Sequence, residues 1–331
     1  MEAHTIALPS KATASLSVHT RLWQSNELEG DEIDLTASVA TALVVFLNGL
    51  MLPQNSWFPV VDKINDEMEK INLPSLSQVV FVTYDRYGQG ETKDNDPLDA
   101  YAEDPSHGHD ALDVVSDLNE LVYIVAQLFA LPGLPPLIFV ANSIGCAVAR
   151  LYAQVYPKRV HALLLADSII ASSHYGLIIP DPDTETIDQP GITPDMLRKA
   201  RSALNALFHP DVGNAEGFSR RNLMKLLPHA NAPKLLATAL NGPFVTVLEH
   251  DPEVFLKESM RMPDVAPEIV TTYTNPFWHK YNEGLIEITG ADRRKGPAIV
   301  EGAGHFIQAM QPHIVANETV DLIVKVLSHV N

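Results

Sequence analysis

A serine stands where a short apolar run stops and a helical pattern begins. Residues 137–140, Leu-Ile-Phe-Val, read as a buried strand. Ala141-Asn142-Ser143-Ile144-Gly145 follows, and then Gly145, Ala149 and Ala153 recur at helical spacing beside Val148, Leu151 and Tyr152. A serine between small residues, at a sharp strand-to-helix turn, is the setting of a nucleophile elbow. There a strained backbone lifts the hydroxyl clear of the sheet. The turn tolerates only small side chains two residues to either side, and Ala141 and Gly145 satisfy that. The chemistry would be nucleophilic attack by the hydroxyl, which needs a base within hydrogen-bond reach. The plainer reading is a serine capping the helix through its side chain. The motif alone does not choose between them.

The composition narrows the class. The 331 residues suffice for one large α/β domain with an insertion. With 46% hydrophobic and 19% charged residues, a sizeable core can be buried. A net charge of −18 speaks against nucleic acid and against docking on an anionic membrane. The single cysteine, Cys146, excludes an internal disulfide and a cysteine-rich metal site. No secretory leader is recognised in the first residues, and no apolar run is long enough to span a bilayer. A cytoplasmic protein is the expectation.

Along the chain, residues 13–24 alternate in polarity like an exposed antiparallel strand. Residues 27–34 are acidic and loop-like. Buried strands are expected at 43–47, 79–83, 137–140, 161–166, 244–248 and 297–301. Helical spacing marks 57–71, stopped near Leu73-Pro74, then 110–130, the stretch after Ser143, and 313–329. This alternation implies a mostly parallel central sheet with helices on both faces. Ligand sites on such sheets lie at the carboxyl ends of strands, where Ser143 falls. Residues 168–243 break the pattern: prolines punctuate two helical stretches, 194–208 and 221–227. They are expected to form an inserted helical cap, with 1–167 and 244–331 as the core.

Four stretches at strand ends now carry a resemblance: Asn48-Gly49-Leu50, Asp85-Arg86-Tyr87-Gly88-Gln89-Gly90, the serine elbow, and Gly302-Ala303-Gly304-His305-Phe306. Their order and spacing over about residues 35–331 resemble the α/β-hydrolase superfamily, in particular capped serine-nucleophile hydrolases typical of fungal proteins. The resemblance implies the α/β-hydrolase fold and a Ser-His-acid triad. Ser143 is then the nucleophile. Among thirteen histidines only His305 stands in a matching frame, so it is the expected base. His107 and His109, beside Asp110, hint at metal but lack a further placed ligand. His174, His209, His229 and His279 fall in or near the cap.

In the chain order of this fold the acid lies between serine and histidine. Asp251, after the strand that follows the cap, is favoured. Asp167, at the end of the strand before the cap, is the alternative acid, and Glu249 comes third. The oxyanion formed by attack needs fixed donors, expected from the backbone N–H groups of Ile144 and Leu50. Asn48 stands where relatives often carry His. The Asp85-Arg86 pair is expected to brace loops. Trp57, Tyr175, Tyr273, Phe277 and Trp278 are candidates for an apolar pocket.

The reading is a serine hydrolase cleaving an ester, lactone or thioester of a small apolar substrate through an acyl-enzyme, with no cofactor and no metal. A serine rather than an aspartate at the elbow speaks against dehalogenase or epoxide-hydrolase chemistry. Acyl transfer, cyclisation or C–C cleavage in secondary metabolism, or a ligand-binding receptor that keeps the pocket, are the alternatives. Oligomeric state is left open.

Overall fold

The computed structural model describes residues 1–25, 39–71, 77–235 and 242–329. The acidic stretch 27–34 and the stop at Leu73-Pro74 lie outside the described residues. Eight strands among the described residues form one sheet: β1 (Glu2–Ala7), β2 (Ser15–Gln24), β3 (Ala40–Leu47), β4 (Ser77–Tyr84), β5 (Leu137–Ser143), β6 (Val160–Ser168), β7 (Phe244–His250) and β8 (Arg294–Val300). Their spatial order is β1-β2-β4-β3-β5-β6-β7-β8. The β1–β2 and β2–β4 pairs are antiparallel, and all others are parallel. β1 carries no apolar run, since only Ile6 of its six residues is buried, so nothing in the sequence marks it as a strand.

Helices α1 (Phe58–Met68), α2 (Ala111–Leu128), α3 (Ile144–Val155) and α11 (Pro312–His329) cover the two faces. β3 is buried along its whole length because both faces are covered. Its residues alternate: Leu43, Val45 and Leu47 join a core with α2 and α3, while Ala42, Val44 and Phe46 join one with α1 and α11. α3 starts where β5 ends, with no intervening loop, and packs hard on the neighbouring strand. A Cβ on Gly145 would lie 2.3 Å from Leu47 O, so this close approach excludes any larger residue.

Six short or medium helices complete the upper layer: α4 (Tyr175–Ile178), α5 (Pro194–Phe208), α6 (Leu223–Leu226), α7 (Pro252–Ser259), α8 (Pro267–Ile269) and α9 (Asn275–Leu285). A π-wound stretch, Val270–Thr274, joins α8 to α9. α10 (Ile307–Met310) follows the β8 turn. This layer has its own small core, in which Ile179, Leu197, Ala200 and Leu204 meet Val265, Ile269 and Val270. That core therefore draws on chain from both sides of β7, residues 179–204 and 265–270. No helix among the described residues is long and apolar enough to cross a membrane.

Candidate active site

Ser143 has φ 56° and ψ −122°, and its side chain makes no cap bond to α3. The backbone is left-handed, which an L residue adopts at a cost of about 1–3 kcal/mol. A capping serine would instead hold extended backbone and accept an N–H. The geometry is that of an elbow. Of the five non-glycine residues with positive φ among those described, Met51, Ser143 and Asp167 all belong to this site.

Asp167 owes its aim to a bulge. β5 and β6 run in register from Ile138 opposite Ala162 to Asn142 opposite Ala166, and then Ser143 pairs with Ser168. Asp167 is the extra residue, at φ 45°, and is fully buried. A bulge re-aims the side chain that a regular strand would leave on its face. The carboxylate Oδ2 accepts the Nδ1–H of His305 at 2.6 Å. Its Oδ1 accepts Nδ1–H of a second ring, His250, at 2.8 Å. Burial alone would raise the Asp167 carboxyl, but the two imidazoles outweigh it and hold it below the usual carboxylate range.

The favoured acid, Asp251, is not at His305. It caps α7, accepting Glu253 N–H at 2.9 Å, and its other oxygen accepts Gly302 N–H at 3.0 Å. The physical reason is chain direction. β7 ends one residue earlier, at His250, so Asp251 has already turned into the helix start. Glu249 points away too, bonded to His279 Nδ1 at 2.8 Å and to Asn282.

Asn142, beside Ser143, ties the three strand ends together. Its Nδ2 donates to Ala166 O and to His305 O, both at 3.0 Å, and Gln308 Nε2 donates to its Oδ1 at 3.3 Å. Ser143, His305, Leu50 and Ile144 all line one cavity of about 510 Å³. With Nδ1 donating to Asp167, Nε2 is the ring nitrogen of His305 that keeps a free lone pair.

The loop after β3 lies against the elbow, since a Cβ on Gly49 would come within 3.3 Å of Ser143 Cβ. Asn48 faces inward rather than toward the cavity. It donates to Tyr84 O and Gln89 Oε1 and accepts Trp57 Nε1–H. Arg86 donates to Asn48 O and Gly49 O at 2.9 Å each, and Gln89 Nε2 also donates to Gly49 O. In a trans peptide the C=O and N–H point opposite ways. Fixing Gly49 O therefore turns the Leu50 N–H away from Arg86. Glu216, buried in the upper layer, accepts from Arg86 Nε at 2.8 Å, from Gln89 and from Met51 N. Asp85 accepts Gln54 N–H and Glu91 N–H and pins the same loops. Gln89→Leu should lower kcat about tenfold while KM hardly moves, because it loosens the peptide that carries the Leu50 N–H, the expected oxyanion donor, rather than the pocket. Steady-state kinetics against the parent checks this.

Tyr175 and Trp278 line the cavity, and Trp278 donates Nε1–H to Ser168 O at 2.9 Å. Trp57 is core, against Phe46. Tyr273 packs on the small upper core, and Phe277 is exposed. His109 bonds Asp99 at 2.8 Å, and His107 reaches Asp211 O. No group of three potential metal ligands occurs among the described residues. His174 lines the cavity with His209 edge-on to it, whereas His279 is taken by Glu249. His250, Asn142 and Glu216 escape sequence reasoning. The one available sign is that Asp167 lies next to the end of β6 and His250 ends β7, two buried parallel strands that pair side by side.

A model of the alpha/beta hydrolase family matches residues 44–318. The chain belongs to the alpha/beta hydrolase family. Its coarse class is accordingly that of a hydrolase. Solved structures with a similar fold include a thermophilic esterase from Thermogutta terrifontis, at 14% identity and TM-score 0.52, covering 98% of this chain and 99% of that one. A soluble variant of monoglyceride lipase from Saccharomyces cerevisiae aligns at 15% identity and TM-score 0.52, over 98% and 94%. Epoxide hydrolase VrEH1 from Vigna radiata aligns at 12% and 0.51, over 98% of both chains. Identities this low speak for fold alone. No curated protein matches the sequence.

Proposed function

We propose that this alpha/beta hydrolase is a serine hydrolase. It would cleave an ester, lactone or thioester of a small apolar substrate through an acyl-enzyme. The observation that carries the reading is the 2.6 Å bond from His305 to buried Asp167, in the cavity that also holds a strained, non-capping Ser143. Asp167 orients the ring and favours its imidazolium form, so Nε2 takes the Ser143 proton during attack and returns it to the leaving group. That step requires Ser143 Oγ within reach of Nε2, a contact that resting enzymes often make loosely and tighten with substrate. Ile144 N–H, at the α3 N-terminus, and Leu50 N–H receive the oxyanion.

The two chain segments around β7 act together as a cap, and their side chains set the substrate's shape. Leu50, Ile144, Ile170, Tyr175, Phe255 and Trp278 make most of the lining apolar, which suits an acyl chain or ring of modest size. A carboxylate nucleophile, needed for epoxide opening, is absent from the elbow because position 143 is serine. Mixing the protein with p-nitrophenyl esters of increasing chain length tests the proposal. The expected result is a burst of nitrophenol equal to the enzyme concentration, with kcat/KM falling once the acyl group outgrows the cavity. A receptor that keeps the pocket and the triad turns over too slowly to sustain hydrolysis after the first equivalent.

A further inference from the structure

His250 occupies a place that the proposed chemistry does not use. It ends β7 with its ring 4% exposed, and Asp167 Oδ1 accepts both its Nδ1–H at 2.8 Å and its backbone N–H at 3.2 Å. The ring stacks on Phe255 at 4.2 Å and meets Trp278 edge-on at 5.2 Å. One fully buried carboxylate thus stands between two imidazoles, one per oxygen. We propose that His250 is a positioning residue: it anchors Asp167 and shares its negative charge, so that the carboxylate orients His305 without turning its full charge on that ring. This rests on the serine-hydrolase reading above.

The surroundings of His250 support a charged ring. Burial opposes it, yet the Asp167 carboxylate and its hydrogen bond prevail and raise the ring above ordinary imidazole. From α9, Asn275 lies beside the ring, and its buried Oδ1 has no geometrically sound hydrogen bond of its own. Glu249, next in the strand, is turned to His279 and Asn282. Asp251 is committed to Glu253 and Gly302. From α7, Glu258 accepts the His305 backbone N–H at 3.2 Å, so it is held at the His305 turn. Tyr175 and Cys146, which also sense Asp167, are kept neutral by burial. A second cation on the same carboxylate lowers the drive to protonate His305. Without it, the whole charge of Asp167 would face His305.

The test is a titration read in two ways. His250→Asn leaves a donor for Asp167 but removes the ring charge. The acid limb of kcat/KM should move up by about one pH unit or more relative to the parent. The imidazole NMR signals of His305, followed in the Ser143→Ala protein with and without His250→Asn, should move by the same amount. That second reading needs no turnover. If the parent hydrolyses nothing but the NMR shift is found, the hydrolase reading fails and the shared carboxylate stands. Limbs and signals that stay put in His250→Asn overturn the proposal. Should His250→Asn not fold, the parent decides: nitrogen shifts of His250 at neutral pH must be those of a doubly protonated ring, and a ring neutral there overturns it.

Discussion

Ser143→Ala is expected to lose fluorophosphonate labelling entirely and to lose at least about 10⁴-fold in ester kcat. The size follows from the role. Without the hydroxyl no acyl-enzyme forms, and only cavity binding and the oxyanion donors remain to speed attack by water. The fold should survive, because Ser143 Oγ caps nothing and alanine removes one atom at a half-buried site. Strain at φ 56° persists in the variant, so no large gain in stability is expected either. Labelling measured beside the thermal midpoint separates lost chemistry from lost fold. A variant that still labels and turns over like the parent sinks the nucleophile assignment.

The second large effect separates Asp167, which bonds His305, from Asp251, the acid that the sequence favoured. Asp167→Asn should lower kcat by about 10³–10⁴-fold, since an amide no longer selects the Nδ1–H tautomer or stabilises the imidazolium. Asp251→Asn should change kcat only a few-fold, because asparagine caps a helix about as well as aspartate and the residue does not reach His305. Both substitutions conserve shape, so the contrast reads the charge at each site. Equal losses from the two would remove Asp167 from its proposed role. Asp167→Asn should also change acid stability. The native carboxyl titrates below its unfolded value, so its stabilisation is present above the ordinary carboxylate range and is lost as pH falls through the lowered native value. Acid-unfolding curves of parent and variant should therefore converge at low pH.

Much of this arrangement is written in local pattern. Continuous apolar runs placed β3 to β7, because strands buried on both faces leave no room for polar alternation. Serine between Ala141 and Gly145 was legible because the close approach of α3 to β3 constrains side-chain size, a property of residue type. The His305 turn could be read by its Gly-Ala-Gly approach to a strand end. β1 was not legible, since an edge strand with one buried side chain needs no apolar pattern.

The partnership of the site's charged groups belongs to another level. Sequence order alone suggested an acid after β7, and local pattern pointed to Ser143, His305, a mostly parallel sheet and the alpha/beta hydrolase family. Which carboxylate meets the ring was decided by one extra residue in β6. Without it Asp167 would not be bulged at that strand end, and Asp251 is spent as a helix cap whatever its position in the chain. The same holds for His250, the cavity assembled from both sides of β7, and the clamp from Glu216 through Arg86 to the loop before Leu50. Runs of residues fix elements through nearest-neighbour sterics and burial. Contacts between residues far apart in the chain depend on register and bulges, which only the packed sheet selects.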